Sequence, residues 1–193
     1  MSIDACPSNP VPTHLYPLGD DEMETTTTPQ ETTMPEQPQK AHHWLQKLVG
    51  EWTYESKAKI EPDQPEETFS GTEMVRSLGG LWIMAESQGE MCGDGGDMTA
   101  IMTLGYNLTT QRYIGTWVGS MMTHLWVYDG ELDAAERVLT LNAQGPAMSG
   151  NGMAPYKDVL EFKDDDHRVL TAYMVGNDGQ WQPFMTTLYR RQS

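Results

Sequence analysis

"EWTYESKAKIE", residues 51–61, alternates without a break. Trp52, Tyr54, Ser56, Ala58 and Ile60 fall on one parity, and Glu51, Thr53, Glu55, Lys57, Lys59 and Glu61 on the other. Side chains on an extended chain point to opposite faces in turn, so this is a strand with one dry and one wet side. Immediately upstream the period differs. In "PQKAHHWLQKLVG", Trp44, Leu45 and Leu48 recur at helical spacing and Gly50 supplies a stop, which predicts one short helix.

Downstream, short strand candidates alternate with turn signals to the end of the chain. "ETFSGTEMVRSL" runs into Gly79-Gly80, "LWIMAESQGEM" into "GDGG", "DMTAIMTLGY" into "NLTT", and "RYIGTWVGS" leads to "THLWVYDG". "RVLTLNAQG", "YKDVLEFKD", "HRVLTAYMVG" and "QWQPFMTTLYRR" follow, with Asp165-Asp166 and Asn177-Asp178-Gly179 as hairpin chemistry. A sharp turn is also expected at Asp129-Gly130. About ten antiparallel strands with short links predict an all-β fold. An up-and-down barrel closes both edges and leaves a lined interior. A sandwich fits the strand pattern too, but it needs long crossovers, and "GPAMSGNGMAP" is the one long irregular link.

Residues 1–37 are rich in Pro, Thr, Asp and Glu and cannot bury enough apolar surface to offset ordering, so a disordered acidic tail precedes a single domain over 38–193. The formal net charge of −16 divides into −6 on residues 1–40, where seven acids face Lys40 alone, and −10 on the rest. Such a body repels phosphate backbones and anionic bilayers, which argues against nucleic-acid and membrane partners. The start of the chain shows no basic segment followed by an apolar run, and no stretch approaches the roughly 20 apolar residues of a membrane span, so a cytoplasmic location is expected. Cys6 lies in the tail and Cys92 in a turn, and no structural disulfide is expected.

Eight blocks occur in order: "HHWLQKLVGEWTYE", "RSLGGLW", "LGYNLTTQRYIGTW", "GSMMTHLWVYDGELD", "LTLNAQGPAM", "YKDVLEF", "DDHRVLT" and "FMTTLYRR". Together, from Gln39 to Arg191, they resemble a bacterial family of uncharacterised proteins, domain of unknown function fifteen seventy-nine. The resemblance implies a barrel of the lipocalin or fatty-acid-binding-protein kind and carries no catalytic residues. "LVGEW" alone is similar to the opening block of nitrobindin-type haem barrels. Those proteins place a haem-ligating His near the C-terminal strand, where "QPFMTTLYRRQS" has none, so no haem or other cofactor is expected.

Candidate site residues follow from parity and composition. His124 shares its phase with Trp126 and Tyr128, Glu86 with Trp82 and Met84, and Asp158 with Tyr156, Leu160 and Phe162. Acids on otherwise apolar faces need a partner or a raised pKa. Arg76 is the counter-ion in view for Glu73, Glu86 or Asp158. Methionines such as Met84, Met98, Met102, Met121, Met122 and Met185, with Trp82, Trp117, Trp126 and Trp181, suit an adaptable apolar interior, or equally an awkward core. Trp52 is expected to plug one end against the helix bearing Trp44. The expected pocket lining is therefore Tyr54, Trp82, Met84, Glu86, Met102, Trp117, His124, Trp126, Tyr128, Asp158, Tyr173 and Met185.

No metal-ligand spacing appears, since His42 and His43 diverge by about 100° on a helix. "GPAMSGNGMAP" lacks phosphate-loop spacing, and neither Ser120 nor Ser149 has a base nearby in sequence. Three functions stay open. The barrel binds a small apolar or amphipathic molecule; it is an isomerase, cyclase or hydrolase using His124 with Asp158 or Glu86; or it is filled solid and acts through its surface or a homodimer interface.

Overall fold

In a computed structural model of the chain, which describes residues 36–59, 66–90, 96–148, 150–176 and 178–192, one helix precedes ten strands. These are α1 (Lys40–Gln46), β1 (Gly50–Ala58), β2 (Glu67–Leu78), β3 (Trp82–Glu90), β4 (Asp97–Asn107), β5 (Arg112–Gly119), β6 (Trp126–Leu132), β7 (Val138–Pro146), β8 (Met153–Phe162), β9 (His167–Val175) and β10 (Trp181–Arg191). Each strand pairs antiparallel with the next. β10 returns to β1, from Trp52↔Arg191 to Ala58↔Met185, closing the barrel. Closure leaves no edge strand, and it confirms the up-and-down barrel over the sandwich. The tail expected over 1–37, save its last two residues, lies outside the described residues, as do Cys6, Cys92, Ile60 and Ser149. Among the described residues no helix is long and apolar enough to cross a membrane.

The alternation of β1 holds as read: Trp52, Tyr54, Ser56 and Ala58 are buried, while Glu51, Glu55 and Lys57 are exposed. The turn at Gly79-Gly80 also forms, with φ of 61° and 75° and Leu81 N–H bonded to Leu78 C=O. Two consecutive residues in this left-handed region suit glycine and the twist of a hairpin. Asp129-Gly130, by contrast, is not a turn. Both residues lie within β6, and the chain reverses at Asp133, whose carboxylate accepts the N–H groups of Arg137 (2.8 Å) and Val138 (3.0 Å). Gly130 is there because Leu141 from β7 packs where a Cβ would stand.

α1 and the lower barrel form a plug. Trp52 is fully buried and its indole donates to Leu48 C=O at 2.9 Å. Trp44 meets Tyr113 and Phe162 edge-on and donates to Glu136 C=O at 2.8 Å. His42 is buried and fully bonded: Nδ1 accepts the Gln39 N–H (2.9 Å), which leaves Nε2 to donate to Tyr106 C=O (3.1 Å). Val75, Ile83, Leu104, Leu139, Leu141 and Leu160 complete this solid end. Burying large side chains stabilises by about 1.5–3 kcal/mol each, so the plugged end is the anchor of the fold.

Candidate functional site

The opposite half of the barrel is hollow because its inward positions are small. Ser56, Ala58, Ala100, Ala143 and Ala172 all face inward, and the space they leave is a cavity of about 350 Å³. Met98, Met102 and Met185 line it with Phe69, Trp117 and Trp126, and it reaches the surface at the exposed Met121 and Met122. Its volume falls in the range of small-molecule pockets, which are also mostly apolar.

The polar groups inside are few and nearly all engaged. Ser56 and Thr187 share a hydrogen bond of 2.6 Å, and the Tyr54 and Tyr156 hydroxyls donate to the carbonyls of Gln88 (3.3 Å) and Pro146 (2.7 Å). Glu73 is ion-paired to Arg168, and both are buried. The other Glu73 oxygen accepts Ser87 Oγ at 2.8 Å, while the Arg168 guanidinium lies 3.9 Å from the Tyr189 ring centroid and 4.5 Å from that of Trp52. Tyr128 donates to Asp158 Oδ2 at 2.6 Å. Burial pushes the Asp158 carboxyl up to about 6 against the opposing pull of that hydrogen bond. Burial, then the facing Asp158, raises the Tyr128 hydroxyl. Tyr189 is raised too, by burial first and by Glu73 second.

The structure brings seven of the expected lining residues to this hollow: Tyr54, Met102, Trp117, Trp126, Tyr128, Asp158 and Met185. Five fall elsewhere. Trp82, Met84 and Glu86 are on the outer wall, because β3 turns Ile83, Ala85 and Ser87 inward. A shift of one residue exchanges every side chain between faces. The Trp82 ring lies flat against Gly105 of β4, filling the space a Cβ would take. Glu86 meets Arg76 at 3.6 Å, an exposed pair, so Arg76 is not the partner of a buried acid. Tyr173 is outside because Ala172 faces in; Lys157 stands over Tyr173 (4.9 Å) and over Trp181 (4.6 Å). His124 precedes β6 instead of lying in a strand. Its Nε2 bonds Gln144 C=O at 3.0 Å, and it is not among the lining residues. His124, Glu86 and Asp158 therefore do not converge as an acid–base pair.

Ala100, Ala143, Tyr156, Ala172 and Tyr189, outside the expected lining, also border the hollow, together with Ser56 of the dry face of β1 and Met98 of the interior methionines, and Arg168 pairs with Glu73 beneath it. The parity Met98-Ala100-Met102 and the parity Met185-Thr187-Tyr189 carried that signal. Among the described residues no group of three or more His, Cys, Asp or Glu side chains is placed to hold a metal ion.

Comparison with solved structures gives the same architecture. Rv2717c from M. tuberculosis matches 81% of this chain and all of its own, with 14% identity and a TM-score of 0.57. The S-type phycobiliprotein lyase CPES from Guillardia theta matches 79% of this chain and 93% of its own, with 10% identity and a TM-score of 0.53. At such identities the likeness extends to the fold alone. No curated protein sequence matches significantly. The profile of the family described as "Protein of unknown function (DUF1579)" matches residues 37–191, the helix and the whole barrel, and the chain belongs to that family.

Proposed function

We infer that the barrel binds one small, mostly apolar molecule in its interior. The observation that carries this is the hollow itself: about 350 Å³, walled by methionine and aromatic side chains, open at Met121 and Met122. Thioether chains adjust to irregular apolar shapes at little cost, and buried surface returns about 25 cal/mol per Å². A solidly filled barrel acting only through its surface or a homodimer interface fits this interior less well. An enzyme using His124 with Asp158 or Glu86 has no support from their positions: of the three only Asp158 lines the hollow, while His124 is on a loop and Glu86 on the outer wall.

Native mass spectrometry of the gently purified full chain, before and after organic extraction, tests the proposal. Retention of a discrete apolar mass, or uptake of one from a lipid and metabolite panel with 1:1 stoichiometry, is the expected result. A chain that retains nothing from either source overturns it.

A further inference from the structure

The hollow is apolar but not electrically balanced. Glu73 and Arg168 cancel each other at its floor, and Trp52 and Tyr189 cover the guanidinium. Lys157 also borders the hollow, yet its ammonium is held over the Tyr173 and Trp181 rings. Glu67 adds an acid at the mouth. That leaves Asp158, which enters from β8 between Tyr156 and Leu160. Oδ2 accepts one hydrogen bond from Tyr128; among the described residues no donor meets Oδ1. Asp158 has no cationic partner there either.

A carboxylate in an apolar wall with a single donor is poorly compensated, and a charged donor compensates it about twice as well as a neutral one. Burial alone does not remove the charge at neutral pH, since the carboxyl rises only to about 6. An incoming carboxylate would add like charge beside it, and Arg168, buried against the Trp52 and Tyr189 rings, is not among the residues lining the hollow that could meet such a group.

Resting on the interior-binding reading above, we propose that the ligand is an apolar molecule bearing a protonated amine, that its ammonium donates to Asp158, and that otherwise similar carboxylates are rejected.

The test is isothermal titration of the full chain with dodecylamine, dodecanol and dodecanoate below their micelle concentrations, in near-physiological salt to screen the net charge. The amine should bind roughly tenfold tighter than the alcohol, and the carboxylate weakest. Asp158→Asn, which still accepts from Tyr128, should level amine and alcohol. Asp158→Thr, which keeps an acceptor for Tyr128 but carries no charge, should do the same and supplies a second variant if Asp158→Asn does not fold. Dodecanoate binding as tightly as dodecylamine overturns the proposal, as does an amine preference that survives in a folded Asp158→Asn or Asp158→Thr. If dodecanol binds and the amine has no advantage, this inference fails while interior binding stands; if none of the three binds, both fall.

Discussion

His124 Nε2 donates to the Gln144 carbonyl at 3.0 Å across a seam where the β6–β7 ladder has already ended. Pairing between those strands runs only from Leu132↔Leu139 to Asp129↔Asn142, while β6 stays paired to β5 up to Trp117↔Trp126. Above the last pair, side chains close the wall. The Trp126 ring stands edge-on to His124 and to Tyr156, each at 4.9 Å, and its N–H donates to Met122 Sδ at 3.2 Å. His124 is thus a fastener of the barrel wall. Replacing it by Ala should cost about 1 kcal/mol in global stability. Hydrogen exchange should speed up in the Ala143–Pro146 segment first. Unchanged protection there would show that the bond does not hold the seam.

Trp126 owes its place to Gly145, because a Cβ at that position would clash with the six-membered ring of the indole. Gly145→Ala should therefore displace Trp126 toward solvent and the cavity mouth, with a red shift in tryptophan emission and a loss of about 1–3 kcal/mol from overpacking. An unshifted spectrum would mean the ring and the new methyl are accommodated together.

Asp158 gives a pH signature of defined sign. Its folded pKa is raised to about 6 from the ordinary 3.8, so the native chain binds that proton more tightly than the unfolded one. Its contribution to stability falls as pH rises from about 4 to about 6 and stays low above, by on the order of 2–3 kcal/mol. Asp158→Asn should be more stable than the parent at neutral pH, and the two should converge near pH 4. Urea unfolding of both proteins across that window checks this; parallel curves would contradict it.

The Glu73–Arg168 pair should be costly to break and cheap to remove as a unit. Arg168→Ala leaves a buried carboxylate with only Ser87 for a partner, and a loss of about 3–5 kcal/mol is expected. Arg168→Met combined with Glu73→Leu should recover most of it. Arg168 Nε has no hydrogen-bond partner among the described residues, so the pair is incompletely compensated to begin with. Additive losses in the double variant would refute the coupling.

Much of the barrel is legible from local pattern, since alternation on β1 and glycine-rich turns are short-range facts. The site is less so. On β3 both parities carry apolar residues, and the larger set, Trp82 and Met84, invites an inward assignment. A hollow needs the reverse: Ala85 and Ser87 face in, and the indole of Trp82 is accommodated outside by Gly105, a residue from the next strand. Tyr173 and Ala172 repeat the inversion on β9. The partner of Glu73 is far away in sequence, on β9, and only closure brings Arg168 to it. Asp158 could be read early because its apolar neighbours lie on its own strand.

The most direct test of the central claim, an accessible interior that takes an apolar guest, is the binding of Nile red to the parent chain and to Ala100→Phe. Ala100 is buried on β4 and lines the cavity, so a phenyl ring there occupies the guest's space. Blue-shifted, saturable 1:1 fluorescence in the parent that is lost in a folded Ala100→Phe is the expected result. Equal dye binding by both proteins would place the dye on the surface and contradict the account.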